Sequence, residues 1–232
     1  MCKRAIILAG GLGTRLKPYT VSLPKPLVPI GEKPILEIII LQLKKYGFSH
    51  ITLAVNHMAN IIEAFFGNGE KWGITIDYSL EKKSLSTMGP LSLINDLPEN
   101  FLVMNGDILT DIDFSNLYKY HIKNRKLMTI SACLRSDKQE YGVLEVDEND
   151  QLINFKEKPI IKNLVSMGIY IMRKEILDYI PKNEFFGFDH LMHKLLLIKK
   201  LPKIYSYEGE WFDIGRPDDY EKAYSQNENF LK

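Results

Sequence analysis

Leu8-Ala9-Gly10-Gly11-Leu12-Gly13-Thr14-Arg15-Leu16 is the stretch on which the reading of this chain turns. It overlaps the apolar run Ala5–Ala9, whose abrupt end in glycine suits a buried strand. Glycines at a strand-to-helix turn let backbone N–H groups close on phosphate oxygens with no Cβ in the way. The spacing is not the dinucleotide fingerprint, because Leu16 takes the place of its third glycine. Nor does the loop end in the Gly-Lys-Ser/Thr of a Walker A motif. Turn punctuation is the commonest reason for a glycine-rich loop. Arg15 shifts the balance, since a guanidinium here can grip phosphate oxygens in a bidentate fork.

Outward from this loop the chain alternates. Pro34–Tyr46 predicts a helix, opened by Pro34, stopped by Gly47 and apolar most of the way round, hence deeply buried. Ile51–Val55 predicts a strand, Ala59–Phe66 a helix and Ile74–Tyr78 a strand. Gly89–Asp96 predicts the start of a helix, and Phe101–Asn105 another strand. The fold class expected is α/β, a Rossmann-like, mostly parallel mixed sheet flanked by helices. Farther on, Met128–Arg135, Gly142–Val146, Leu152–Phe155 and Gly168–Met172 follow with short connections and predict added antiparallel strands. Asp189 is expected to cap a helix through Ile198. Lys203–Tyr207 and Glu210–Asp213 read as short strands, and Pro217–Tyr224 as a closing helix. No linker, repeat or low-complexity tract interrupts residues 1–232, so a single domain with two functional halves is expected.

Composition narrows the function classes. Hydrophobic residues make up 45% and charged residues 25%, ordinary globular proportions, and 30 basic against 29 acidic side chains leave a net charge of +1. Without a basic excess to drive counterion release, a general nucleic-acid binder is excluded. Cys2 and Cys133 are too far apart for a disulfide framework or zinc site, and Cys133 reads as a buried strand residue. The N-terminal apolar run is too short for a secretory signal and no stretch reaches membrane-spanning length, so the expectation is a soluble, cytoplasmic protein with no membrane partner.

Three further elements carry chemistry. In Pro24-Lys25-Pro26 two prolines stiffen the backbone around one ammonium. Asn105-Gly106-Asp107 follows a hydrophobic strand, and ligands of open α/β sheets bind outside the carboxyl ends of strands, where Asp107 would suit a metal. Asp213 can complete a Mg²⁺ site with Asp107, because Mg²⁺ is usually held by one or two carboxylates plus substrate phosphates. The ordinary alternative for Asp213 is a turn cap, and Asp218 and Asp219 read as first-turn acids favoured by the helix dipole. His190 and His193 share a helix face without a third ligand nearby and read as helix-surface or core residues.

The run from Gly10 to Pro18, followed by Pro24-Lys25-Pro26, resembles the signature of the sugar-1-phosphate nucleotidyltransferases. Asn105-Gly106-Asp107, Glu157-Lys158-Pro159, Gly168-Ile169-Tyr170 and Asp213–Tyr220 match later motifs of that family in order. The resemblance spans almost the whole chain. It implies a nucleotide-binding half up to about residue 110 and a sugar-binding half over 111–232. By it, Leu8, Ala9, Gly10, Gly11, Gly13, Thr14, Arg15, Lys25, Ser86, Thr87, Gly89, Asn105 and Gly106 hold the nucleoside triphosphate. Tyr141, Gly142, Glu157, Lys158 and Gly168 hold the sugar 1-phosphate, Asp107 and Asp213 hold Mg²⁺, and Arg15, Lys25 and Asp107 are catalytic. The reaction implied is in-line attack of a sugar-1-phosphate oxygen on the α-phosphorus, with loss of pyrophosphate and no protein nucleophile.

The resemblance puts GTP and a heptose or mannose 1-phosphate first. Uridylyl, thymidylyl or cytidylyl transfer, phosphocholine as acceptor, and a silent nucleotide-binding regulatory subunit stand as alternatives. A homodimer is the assembly expected of such a soluble enzyme. One segment departs from pattern: in Glu81–Pro90, Ser86 replaces a family glycine and Met88 an alanine, bulk expected where the backbone nears the base or ribose.

Overall fold

A computed structural model describes residues 3–226 other than 12, 17 and 18, together with residue 230; the side chains of Arg15 and Tyr19 lie outside that description. Its frame is a seven-stranded sheet. The first half supplies β1 (Lys3–Leu8), the short pair β2 (Pro29–Ile30) and β3 (Lys33–Pro34), helix α1 (Ile35–Lys45), β4 (Phe48–Val55), α2 (Ala59–Phe66) and β5 (Thr75–Leu80). β6 (Asn100–Asn105), β7 (Ile108–Thr110), α3 (Phe114–Asn124), β8 (Met128–Lys138), β9 (Val143–Val146), β10 (Leu152–Lys156) and β11 (Ile160–Arg173) follow. The chain closes with α4 (Phe188–Leu197), β12 (Lys203–Tyr207), β13 (Trp211–Asp213) and α5 (Pro217–Ser225).

The order across the sheet is β12-β8-β11-β6-β1-β4-β5, and only β11 runs against the other strands. The mixed, mostly parallel sheet expected from the alternation is therefore present. Its inner strands are apolar on both faces, as parallel strands under helices must be. Ala5, Ile7, Leu53 and Met104 face a core shared with α1, while Ile6, Val103 and Tyr170 face a second core with Leu191 and Leu195 of α4. In α1, Ile35, Leu36, Ile38, Ile39, Ile40 and Leu43 are all buried, which is why its sequence is apolar on so many sides.

Two expectations need correction, and one element had none. Gly89–Asp96 does not start an α-helix: Gly89–Leu93 is a 3₁₀ turn. Gly89 is wedged under residues 184–186, and a Cβ there would lie 2.6 Å from the Glu184 carbonyl oxygen. The N-cap of α4 is Gly187, not Asp189; the His190 ring accepts the Gly187 N–H at 2.9 Å. Helix α3 gave no sequence expectation, because only Phe114, Leu117 and His121 of its eleven residues are buried, too sparse an apolar stripe to stand out.

β8 and β11 are longer than their apolar runs. β11 pairs with β6 through Ile169↔Met104, so residues 160–167 continue past the carboxyl end of β6, about 26 Å of chain at ~3.3 Å per residue. With the end of β8 and the β9–β10 hairpin they form a ribbon rising on the same edge of the sheet as the glycine loop. Among the described residues no helix is long and apolar enough to cross a membrane.

Candidate active site

A cleft of about 480 Å³ lies along the carboxyl ends of β1, β4, β5 and β6. Its floor is the loop after β1. The Gly106 N–H donates to the Leu8 carbonyl and the Ala9 N–H to the Ala54 carbonyl, tying the start of this loop to its neighbours. Gly13 takes φ +63, and a Cβ there would come within 2.8 Å of Thr20, whose hydroxyl donates to the Gly13 carbonyl at 2.7 Å. Only glycine meets both demands without strain. Leu8, Ala9, Gly10, Gly11, Gly13 and Thr14 all line the cleft. Arg15 begins no new element; its backbone sits in the 3₁₀ turn Thr14–Leu16, and its side chain lies outside the described residues, as do Cys2, Leu12, Lys17 and Pro18.

The bracketed lysine is held as the prolines require. Lys25 opens a 3₁₀ turn, Lys25–Leu27, capped by Pro24, and the Leu27 N–H donates to the Pro24 carbonyl. Its ammonium donates to Asp107 Oδ2 across 82 residues of sequence. Both side chains are largely buried yet open to the cleft, at 11% and 17% exposure.

Asp213 arrives beside Asp107 through strand pairing. β13 runs antiparallel to β7 with Asp213 opposite Ile108, and the Ile214 N–H donates to the Asp107 carbonyl at 2.9 Å. The Gly215 N–H donates to Asp213 Oδ1 at 2.9 Å, so the turn-cap reading of Asp213 holds alongside its place near Asp107. Asp107 lines the cleft, and Asp213 stands beside it through strand pairing without lining it; two neighbouring carboxylates suit an ion completed by phosphates and water. Among the described residues no group of three or more His, Cys, Asp and Glu side chains gathers.

The opposite wall is the segment after β5. Ser86 and Thr87 line the cleft together with Ser84 and Pro90. Ser86 takes φ +65, a conformation natural to glycine and costing an L-residue roughly 1–2 kcal/mol. Met88 does not crowd the site as expected. Its side chain is buried in the second core beside Leu91, and it is absent from the cleft lining. Gly89 likewise lies beneath the wall, its N–H donating to the Phe186 carbonyl at 2.8 Å. The Phe188 N–H donates to Thr87 Oγ1, so this wall is anchored to the entry of α4.

Asn56 and Glu81 also line the cleft, and neither was singled out from the sequence as a binding residue. Both follow directly on parallel strands, β4 and β5, so the rule that ligands sit at strand carboxyl ends would have found them. Glu81 is buried. One carboxylate oxygen accepts the Leu85 N–H at 3.0 Å, and the other lies 3.0 Å from where a Cβ on Gly10 would stand. Burial raises its pKa above the usual carboxylate range, partly offset by the Leu85 N–H.

The sugar-half residues are divided. Gly168, with φ +72, packs directly on the Asn105 side chain at the edge of the cleft. Tyr141, Gly142, Glu157 and Lys158 sit on the ribbon, where Gly142 lies against the Phe155 ring and Glu157 Oε2. Tyr141 is 81% exposed, and none of the four lines the cleft. Asp219 is more than a first-turn acid: it is buried and accepts two hydrogen bonds from Arg135.

Nearly the whole chain has matching counterparts. It is 38% identical to a D-glycero-α-D-manno-heptose 1-phosphate guanylyltransferase of Campylobacter jejuni, over 94% of this chain and 96% of that one. It is 34% identical to a UTP–glucose-1-phosphate uridylyltransferase of Synechocystis, of which it spans 62%. Among solved structures, HddC of Yersinia pseudotuberculosis complexed with GMP-PN matches with a TM-score of 0.74 at 27% identity, over 97% of this chain and 99% of that one. The model of the nucleotidyl transferase family matches residues 4–229, and with the glycine loop, Lys25 and both aspartates in place the chain belongs to that family.

Proposed function

We propose that this protein transfers a guanylyl group from GTP to a sugar 1-phosphate of heptose or mannose type, releasing pyrophosphate and leaving a GDP-sugar. An oxygen of the sugar phosphate forms the new bond to the α-phosphorus; the bond from that phosphorus to the α–β bridging oxygen breaks, and pyrophosphate leaves with the electron pair. Glu81 carries the choice of base. A buried carboxylate is acceptor-only, and guanine alone among the common bases offers two adjacent donors, N1–H and the 2-amino group. Uracil and thymine present a single N–H between two carbonyls, which would leave buried acceptors facing each other, a costly arrangement. The guanylyltransferase among its relatives supports the same choice.

In this reading the loop Gly10–Thr14 receives the triphosphate, Arg15 steadies the departing pyrophosphate, and Lys25 leaves Asp107 to offset repulsion between the two anionic substrates. Asp107 and Asp213 are the residues to hold Mg²⁺, which when bound neutralises phosphate charge. Tyr141, Gly142, Glu157, Lys158 and Gly168 form the proposed sugar half, beyond a nucleotide half ending near residue 110. The triphosphate substrate makes the cytoplasm the proposed location. A homodimer is the proposed assembly, because Leu144, Leu152, Phe155 and Ile160 leave the ribbon apolar and exposed; light scattering at twice the chain mass is expected, and a monomer would refute it.

The test is pyrophosphate release from GTP, UTP, dTTP, CTP and ATP against heptose, mannose and glucose 1-phosphates. GTP with heptose or mannose 1-phosphate is expected to give the highest kcat/KM. A higher value with UTP or dTTP would refute the guanylyl assignment, and no release with any pair would refute the enzyme.

A further inference from the structure

Asp219 is a buried carboxylate, its side chain only 5% exposed, in the first turn of α5. A buried charge is costly unless its lone pairs are satisfied. Here Arg135 Nη1 and Nη2 donate to its two oxygens at 3.1 and 3.0 Å, and the Asp213 N–H donates to Oδ2 at 3.1 Å. Arg135 stands on β8 at the base of the ribbon, opposite Asn163 of β11, with its guanidinium 5.4 Å from the Trp211 ring centre. One bidentate pair thus joins the ribbon to the backbone of Asp213, the residue that strand pairing sets beside Asp107.

Without Arg135, Asp219 would be an uncompensated buried charge free to turn from Asp213. The carboxylate of Asp213 is set from both sides of its Cα: its backbone N–H is fixed by Asp219 and its Oδ1 by the Gly215 N–H. Partners that orient a ligand in this way tune metal affinity without touching the metal.

We infer that Arg135 and Asp219 are positioning residues for Asp213, fixing it in the orientation that takes a divalent cation and linking that orientation to the ribbon. This rests on the assignment of Asp107 and Asp213 as cation ligands. A structural clamp between α5 and β8 would affect only melting, so cation affinity is the separating readout. Trp211 lies two residues before Asp213, and its indole can sensitise Tb³⁺ luminescence at this site.

The experiment titrates Tb³⁺ alone into the full chain and its Arg135→Met, Arg135→Lys, Asp219→Asn, Asp107→Asn and Asp213→Asn variants, with a thermal melt of each. Arg135→Met and Asp219→Asn are expected to raise the half-saturating Tb³⁺ concentration ~10–100-fold while still melting cooperatively. Arg135→Lys, which keeps one charged donor and is the variant least disturbing to the fold, should fall between them and the parent. Wild-type half-saturation in Arg135→Met and Asp219→Asn, whatever their melting temperatures, would overturn the inference. If Asp107→Asn and Asp213→Asn also titrate like the parent, the cation assignment itself is overturned, and the inference falls with it.

Discussion

At the scale of residues, Lys25 and Asp107 lie 82 positions apart and meet as an ion pair at the cleft. The signals for each were local: two prolines around one lysine, and an aspartate just beyond an apolar strand. Replacing either by alanine removes one charge from a site proposed to work by alignment and charge neutralisation. Lys25→Ala and Asp107→Ala are each expected to slow pyrophosphate release ~10²–10³-fold with circular dichroism unchanged; near-parental rates would remove both assignments. Glu81 was harder to see, because a glutamate after a strand looks like any solvated carboxylate until the fold buries it. Its raised pKa fixes the sign of a pH effect. The deprotonated form, the one proposed to accept from guanine, is lost as pH falls, at a higher pH than an exposed glutamate would allow. The KM for GTP should therefore climb on acidification in the parent, and a flat KM would count against Glu81 as the base acceptor. The Arg135–Asp219 pair left no local signal at all, since 84 residues separate its members.

At the scale of elements, strong periodicity was legible and weak periodicity was not. Helix α1 shows its burial in sequence because six of its eleven residues are buried isoleucines and leucines. Helix α3 buries one narrow stripe, and its clearest signal is its start, where Asp113 accepts the Asn116 N–H at 2.9 Å. Loss of such a cap costs roughly 0.5–2 kcal/mol, so Asp113→Ala should lower unfolding free energy by about 1 kcal/mol in urea, with turnover unchanged. An unchanged midpoint would mean that tertiary contacts alone hold α3. The 3₁₀ turn at Gly89–Leu93 and the length of β11 escaped the sequence for one reason. Both are set by distant partners, residues 184–186 in one case and β8 in the other. Met88 shows the same limit: its bulk was legible, but its direction into the core was not.

At the scale of the molecule, the seven-stranded sheet carries most of the cleft, and the short β7–β13 pair stands at the same edge. Four parallel strands end on one edge and deliver the glycine loop, Asn56, Glu81 and Asn105–Asp107, while β13 brings Asp213 to the same edge by pairing with β7. The alternation of strands and helices made that edge legible. The ribbon was legible only as strands, because its residues bury too little to reveal where they stand. The central claim is that the cleft reads guanine through Glu81. It is tested most directly by calorimetric binding of GTP against inosine triphosphate, which lacks the 2-amino donor, in the parent and in Glu81→Gln. A charge-assisted hydrogen bond contributes about 1.5–3 kcal/mol, so the parent should bind GTP ~10–10²-fold more tightly than inosine triphosphate. Glu81→Gln should lose most of that preference. Equal affinity of the parent for the two triphosphates, or a preference untouched in Glu81→Gln, would contradict the account.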